Sequence, residues 1–141
     1  VREALLHTFV RYRLVCPAYA LMQDHAHFLW CGCAVDSDQR VASSFFRRLW
    51  NGKLKVRGYL LQKQPHDHVL LETERNSQAF EDTCAYIMRN PERAGLVGSW
   101  SEWEYAGALV PGYPRLNLAE ERFWERFWTA YNSLCESGLR S

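Results

Sequence analysis

The sequence predicts an α+β domain in which amphipathic helices pack on an antiparallel sheet. Three observations point there: four stretches carry apolar residues at helical spacing, the run from Tyr19 to Cys33 is rich in β-forming residues, and two short apolar runs flank a turn at Gln64-Pro65-His66-Asp67 as the arms of a hairpin would. With 141 residues, 48% apolar and 14% aromatic, the chain suffices for one core.

Between Arg2 and Arg13, the residues Leu5, Leu6, Phe9 and Val10 share a helical stripe, with Arg2, Arg11 and Arg13 off it, which predicts a first helix lying on the sheet. Pro17 is expected to end that helical tendency, and Tyr19 to Cys33 to form a long central strand. Gly32 and then Asp36-Ser37-Asp38 supply turn and capping chemistry for a second helix with the stripe Val41, Phe45, Leu49 and Trp50. Asn51-Gly52 is expected to stop it, leaving Lys53 to Arg57 as a basic connector. Gly58 to Gln62 and His68 to Glu72 are the strands of the expected hairpin.

Asn76 or Ser77 then caps a third helix that turns Phe80, Cys84, Ile87 and Met88 to the core. Pro91 ends it with Asn90 at the boundary, and opens a short further turn that Gly95 closes. Trp100 to Tyr105 reads either as a last strand or as an aromatic-rich loop, and Ala108 to Pro114 as a loop. Asn117 with Glu120 resembles a capping box for a final helix whose aromatic face, Phe123, Trp124, Phe127, Trp128, Tyr131 and Leu134, is assigned to the core.

No apolar run is long enough to cross a bilayer, and the first residues lack the shape of a signal peptide, so a cytoplasmic protein is expected. Five cysteines without Cys-x-x-Cys spacing suggest reduced, mostly buried thiols rather than a disulfide framework or a zinc ribbon. The net charge of +1 conceals an asymmetry. From Arg40 to Lys63 there is no acid, while Arg40, Arg47, Arg48, Lys53, Lys55, Arg57 and Lys63 are all basic and are interleaved with Phe45, Phe46, Trp50 and Tyr59. Charge plus stacking surface suits a single-stranded polyanion.

The chemistry concentrates in two places. His25 and His27, two apart on a predicted strand, project to one face and make half of a metal site. On the third helix Tyr86 falls opposite the apolar stripe, and Asn90, four residues on, stacks above it. Two imidazoles and an amide oxygen would hold a divalent ion that polarises a phosphodiester, with the phenol as nucleophile. By ligand softness the imidazoles suit zinc or another transition metal at least as well as magnesium. A second His-x-His, His66-Asp67-His68, falls at a predicted turn and reads as surface loop chemistry.

Tyr19-Ala20-Leu21-Met22-Gln23-Asp24-His25-Ala26-His27-Phe28-Leu29 resembles the HUH strand of the single-tyrosine transposases, and Tyr86-Ile87-Met88-Arg89-Asn90-Pro91-Glu92-Arg93-Ala94-Gly95-Leu96-Val97 resembles their tyrosine helix. The second match is the more specific and is most similar to the REP-associated branch, over roughly residues 1–107. Gln23-Asp24 stands where that family commonly has Pro-Asn, and Ala26 is smaller than the usual residue between the histidines.

The resemblance implies a ferredoxin-like or RRM-like α/β sandwich that cuts and rejoins single-stranded or hairpin DNA through a 5′-phosphotyrosine, with Mg²⁺ or Mn²⁺, in the bacterial cytoplasm. Residues 1–107 would be the catalytic domain, and 108–141 a loop and helix packed on it. The family places a strand before its first helix, and this sequence opens almost inside that helix, so the first strand is expected to be absent. By position, His25, His27 and Asn90 would be ligands and Tyr86 the nucleophile; Arg89 and Arg93 would steady the scissile phosphate, and Arg47, Arg48, Lys53, Lys55, Arg57 and Lys63 would track the strand. The alternatives are a domesticated or degenerate module that binds structured DNA without cutting it, and a phosphodiesterase that uses water. Monomer and homodimer are both compatible with these readings.

Overall fold

The computed structural model describes residues 1–61 and 77–140. Among these, five α-helices and a three-stranded antiparallel sheet form an α+β fold: α1 (Arg2–Tyr12), β1 (Leu14–Leu21), β2 (Ala26–Gly32), α2 (Gln39–Lys55), α3 (Ser77–Met88), α4 (Asn90–Arg93), β3 (Ala106–Leu109) and α5 (Phe123–Arg140). The strand order is β2-β1-β3. No helix of the described residues is long and apolar enough to cross a membrane.

The expected single strand from Tyr19 to Cys33 is a hairpin. The chain folds back at Gln23-Asp24, where the Met22 N–H donates to the His25 carbonyl at 2.8 Å, and Tyr19 then pairs with Phe28. Pro17 does not precede the strand but lies inside β1, fully buried. A proline has no N–H for a ladder and is tolerated at bulges. Pairing with both neighbours shifts register here, between Val15 and Ala18 toward β2 and between Cys16 and Tyr19 toward β3. What ends α1 is instead Arg13, left-handed at φ 54, with its N–H on the Phe9 carbonyl and its own carbonyl taking the Cys33 N–H and the Ser37 hydroxyl, each at 2.8 Å.

Each face of the sheet carries its own cluster. On one side α1 and α2 pack Ala4, Leu5, Phe9, Ala42 and Phe46 on Leu14, Cys16, Tyr19, Phe28 and Trp30. Leu6 and Val10, expected on the α1 stripe, are exposed; the buried stripe is Ala4, Leu5, Thr8 and Phe9. In α2 the Asp38 carboxylate accepts from the N–H groups of Arg40 (2.9 Å) and Val41 (3.1 Å), as the capping chemistry predicts. The buried positions are Ala42 and Phe46 rather than Val41 and Phe45, and the helix runs through Gly52 to Lys55 because nothing there demands a left-handed residue.

On the other side, α3 and α5 pack Phe80, Cys84, Ile87, Met88, Phe123, Phe127 and Ala130 on Val15, Ala18, Ala20, Ala106 and Ala108. The expected stripe of α3 is buried in this core; of that of α5, Phe123 and Phe127 are buried and Trp124, Trp128, Tyr131 and Leu134 pack half-buried against it. Trp100–Glu102 is a turn of 3₁₀ helix, and the last strand begins later than expected, so Ala106–Leu109 is β3 rather than part of a loop. Asn117 does not cap α5: its side chain accepts from the Ala119 N–H in a separate turn, and the helix starts at Phe123. Of the expected hairpin from Gly58 to Glu72, residues 58–61 carry no strand, and the rest, like Asn76 and the His66-Asp67-His68 triplet, lies outside the described residues.

Candidate functional site

Alternation along β2 decides which way the histidines look. Phe28 and Trp30 face the α1/α2 layer and Leu29 and Cys31 face the α3/α5 layer, so His27 lies on the α3 side and Ala26 on the other. His25 precedes the strand, at the hairpin end, yet its ring stands 5.0 Å from that of His27, at 83°. An imidazole nitrogen about 2.1 Å from an ion puts the ring centre about 3.2 Å away, so two rings sharing one ion at 90–110° have centres about 4.5–5.2 Å apart. The pair fits that requirement.

Each imidazole has a distinct setting. The Asp24 carboxylate lies 2.6 Å from His25 Nδ1, which leaves Nε2 as the ring nitrogen turned elsewhere, and this contact holds the Asp24 carboxyl below the usual range. Burial, and then the charges of His25 and Arg93, lower the proton affinity of His27. A neutral imidazole is the form that binds a metal.

The hairpin end is pinned from the other side of the sheet order. Leu21, the last residue of β1, donates its N–H to the Tyr105 carbonyl (2.9 Å) and accepts the Trp103 indole N–H on its carbonyl (2.9 Å). The Trp100 N–H in turn reaches the Glu92 carboxylate (3.0 Å), which ties this segment to α4. Trp103, Glu92 and Asp24 are positioning groups that sequence spacing did not reveal; the aromatic alternation of Trp100 to Tyr105 was the one signal for the first of them.

Tyr86 is 59% exposed, as its place opposite the stripe predicts. After Met88 the α-helix breaks at Arg89, Pro91 opens α4, and Gly95, at φ 72, closes it with its N–H on the Glu92 carbonyl. Asn90 therefore begins α4 rather than ending α3. Its Oδ1 accepts from Arg93 Nη2 at 2.8 Å, keeping one lone pair, while its Nδ2 is buried without a partner among the described residues. The same Arg93 nitrogen donates to the Tyr86 carbonyl at 2.6 Å, and the guanidinium lies over the Tyr86 ring at 3.9 Å. Its charge also lowers the proton affinity of His27.

Among the described residues no cluster of three or more His, Cys, Asp or Glu side chains gathers where an ion could sit. An ion held by His25 and His27 would take the Asn90 amide, substrate oxygens or water in its other positions. The two imidazoles suit a first-row divalent ion, while the Arg93 cation, which already holds Asn90 Oδ1, opposes one.

The basic span does not share this face. Arg47, Arg48, Lys53 and Lys55 belong to α2 in the layer across the sheet from α3, with Arg57 just beyond; Lys63 lies outside the described residues. Arg48, Lys55 and Arg57 are exposed and Arg47 is half-buried; Arg48 stands 5.9 Å from the Phe45 ring centre, and Lys53 pairs with Glu3 of α1 at 2.5 Å. Arg89 is exposed next to Asn90. In comparisons with known proteins, the chain matches no family model, no curated protein and no solved structure.

Proposed function

We propose that the protein is a divalent-metal-dependent DNA strand transferase of the single-tyrosine HUH kind, most similar to the REP-associated branch, and that its sheet and helices are a ferredoxin-like HUH fold. One observation carries this reading: the His25 and His27 rings stand 5.0 Å apart at the hairpin end, with His27 on the face of the sheet that carries α3, the helix from which Tyr86 is exposed. The substrate is single-stranded or hairpin DNA.

In the forward step Tyr86 Oη attacks a backbone phosphorus in line with the departing 3′ oxygen. The phosphorus–O3′ bond breaks, the phenol proton passes to solvent, the 3′ oxygen takes up a proton, and the 5′ phosphate stays esterified to Tyr86. Exposure of the ring gives that proton a direct path to water. The phosphotyrosine keeps the bond energy, so a free 3′-hydroxyl can reverse the step and join strands. His25, His27 and Asn90 are the residues that would hold Mg²⁺ or Mn²⁺, which when bound neutralises the non-bridging oxygens. Arg47, Arg48, Lys55 and Arg57 meet flanking DNA that passes around the sheet edge.

Incubation of a suicide oligonucleotide with the protein and Mn²⁺ tests this. A covalent adduct in the wild type that Tyr86→Phe abolishes is expected. Binding without any adduct favours a structured-DNA-binding module, a reading to which the hold of Arg93 on the Asn90 oxygen lends weight. Cleavage that survives Tyr86→Phe points to water as nucleophile.

A further inference from the structure

Resting on that reading of Tyr86 and Asn90, we infer that Arg93 is a positioning residue that sets the orientation of both, rather than a contact to the DNA backbone. Three contacts made by one planar group carry the inference. The face of the guanidinium covers the Tyr86 ring at 3.9 Å, and one edge nitrogen, Nη2, uses its two hydrogens on the Tyr86 carbonyl (2.6 Å) and on Asn90 Oδ1 (2.8 Å). A lysine ammonium can form such bonds but has no face to lay on a ring.

The break in the helix creates the need. α3 ends at Met88 and α4 begins at Asn90, so the last carbonyls of α3 lie at a helix end, where a basic side chain can satisfy them. Arg93 reaches back seven residues to do so. It is itself held in place: Pro91 is buried, the Arg93 N–H is on the Arg89 carbonyl (2.9 Å), and its neighbour Glu92 is tied to the Trp100 N–H.

The consequence concerns Tyr86. A phenol that is 59% exposed has little core around it to choose its rotamer. With one ring face covered by Arg93, the ring is confined, while the same nitrogen turns the Asn90 oxygen rather than its amide nitrogen toward Arg93. In-line attack needs this kind of restraint, since a misplacement of about 1 Å costs on the order of 100-fold in rate.

The experiment compares Arg93→Lys and Arg93→Ala with wild type in three measurements: the Tyr86 ring NMR signals in DNA-free protein, the single-turnover rate of adduct formation at saturating oligonucleotide, and the DNA Kd against salt. Expected are shifted, broadened Tyr86 signals in both variants, an adduct rate lowered about 10- to 100-fold, and a Kd within about twofold of wild type. Unchanged ring signals overturn the inference, and a weakened Kd with a salt slope smaller by about one then identifies Arg93 as a phosphate contact. If the wild type forms no adduct, the strand-transfer reading fails, and the ring signals alone still decide whether Arg93 holds Tyr86. Because Arg93→Lys keeps the charge, it serves where Arg93→Ala perturbs α4.

Discussion

Truncation of Phe127 asks whether the carboxy-terminal helix is an appendage or part of the body that carries Tyr86. Phe127 is fully buried, with ring centres of Trp128, Trp124, Phe123, Tyr131 and Phe80 at 5.1, 5.8, 6.0, 6.2 and 6.3 Å. Removing a buried phenylalanine ring costs about 3–5 kcal/mol, and lost edge and stacking contacts put this site toward the upper half of that range, so about 4 kcal/mol is expected for Phe127→Ala. For a chain of this size that is a fall in Tm of about 12–16 °C. Phe127→Leu should lose only about 1 kcal/mol. Urea unfolding followed by tryptophan fluorescence measures both, with Trp124 and Trp128 reporting directly. Since Phe80 of α3 packs on the same rings, hydrogen exchange in α3 should speed up in Phe127→Ala. A loss below about 1.5 kcal/mol for Phe127→Ala, with exchange in α3 unaltered, would refute the packing of α5 in this core.

Two further outcomes follow from the same geometry. Gly52 sits inside α2, and a Cβ built there meets nothing within 4 Å, so Gly52→Ala should raise stability by about 0.5–1 kcal/mol in thermal unfolding; a loss would mean that the helix stops at Asn51 after all. Burial pushes the Cys33 thiol up to about 12 and moves Cys16 and Cys84 upward as well. These thiols stay protonated in the native state while the unfolded chain ionises them above about pH 8.5, so stability is fully present below that pH and falls as pH rises, by up to about 1.4 kcal/mol per pH unit for each thiol. Urea midpoints from pH 7 to 10 check the slope; a flat profile contradicts the burial of these groups.

Where a single period dominates a stretch, the sequence was legible. Phe80, Cys84, Ile87 and Met88 recur as a helix requires, all four are buried, and Tyr86 emerges opposite them. Asp38 announces a cap and serves as one. Illegible were features set by partners distant in sequence. Gln23-Asp24 turns the chain without glycine or a left-handed residue, so the hairpin carries no local signature. Ala106-Gly107-Ala108-Leu109 has no β-branched residue and is a strand because β1 offers it a ladder. Within the site, spacing put His25 and His27 on one strand and Asn90 on the helix of Tyr86, whereas His25 lies at the hairpin end before β2 and Asn90 begins α4. The reach of Arg93 across seven residues, and the hold of Asp24 on its neighbour, could not be read from spacing, because side-chain direction at a helix break or a hairpin tip has no period.

The bulge at Pro17 sets the parity of the sheet. Before it, Leu14 and Cys16 face the α1/α2 layer and Val15 the opposite one; after it, Tyr19 faces α1/α2 while Ala18 and Ala20 face α3/α5. One extra residue on β1, counted against both neighbours, is what places odd-numbered Tyr19 in the layer that even-numbered Leu14 and Cys16 occupy. The large ring thereby goes under α1, where Arg2 reaches its hydroxyl at 3.2 Å, and after the bulge β1 turns only the alanines Ala18 and Ala20 into the layer of α3. Position 17 thus tolerates a change of side chain better than a change of count. Deleting a single residue there would exchange the two faces of half a strand and set a tyrosine in the layer where α3 packs on alanines.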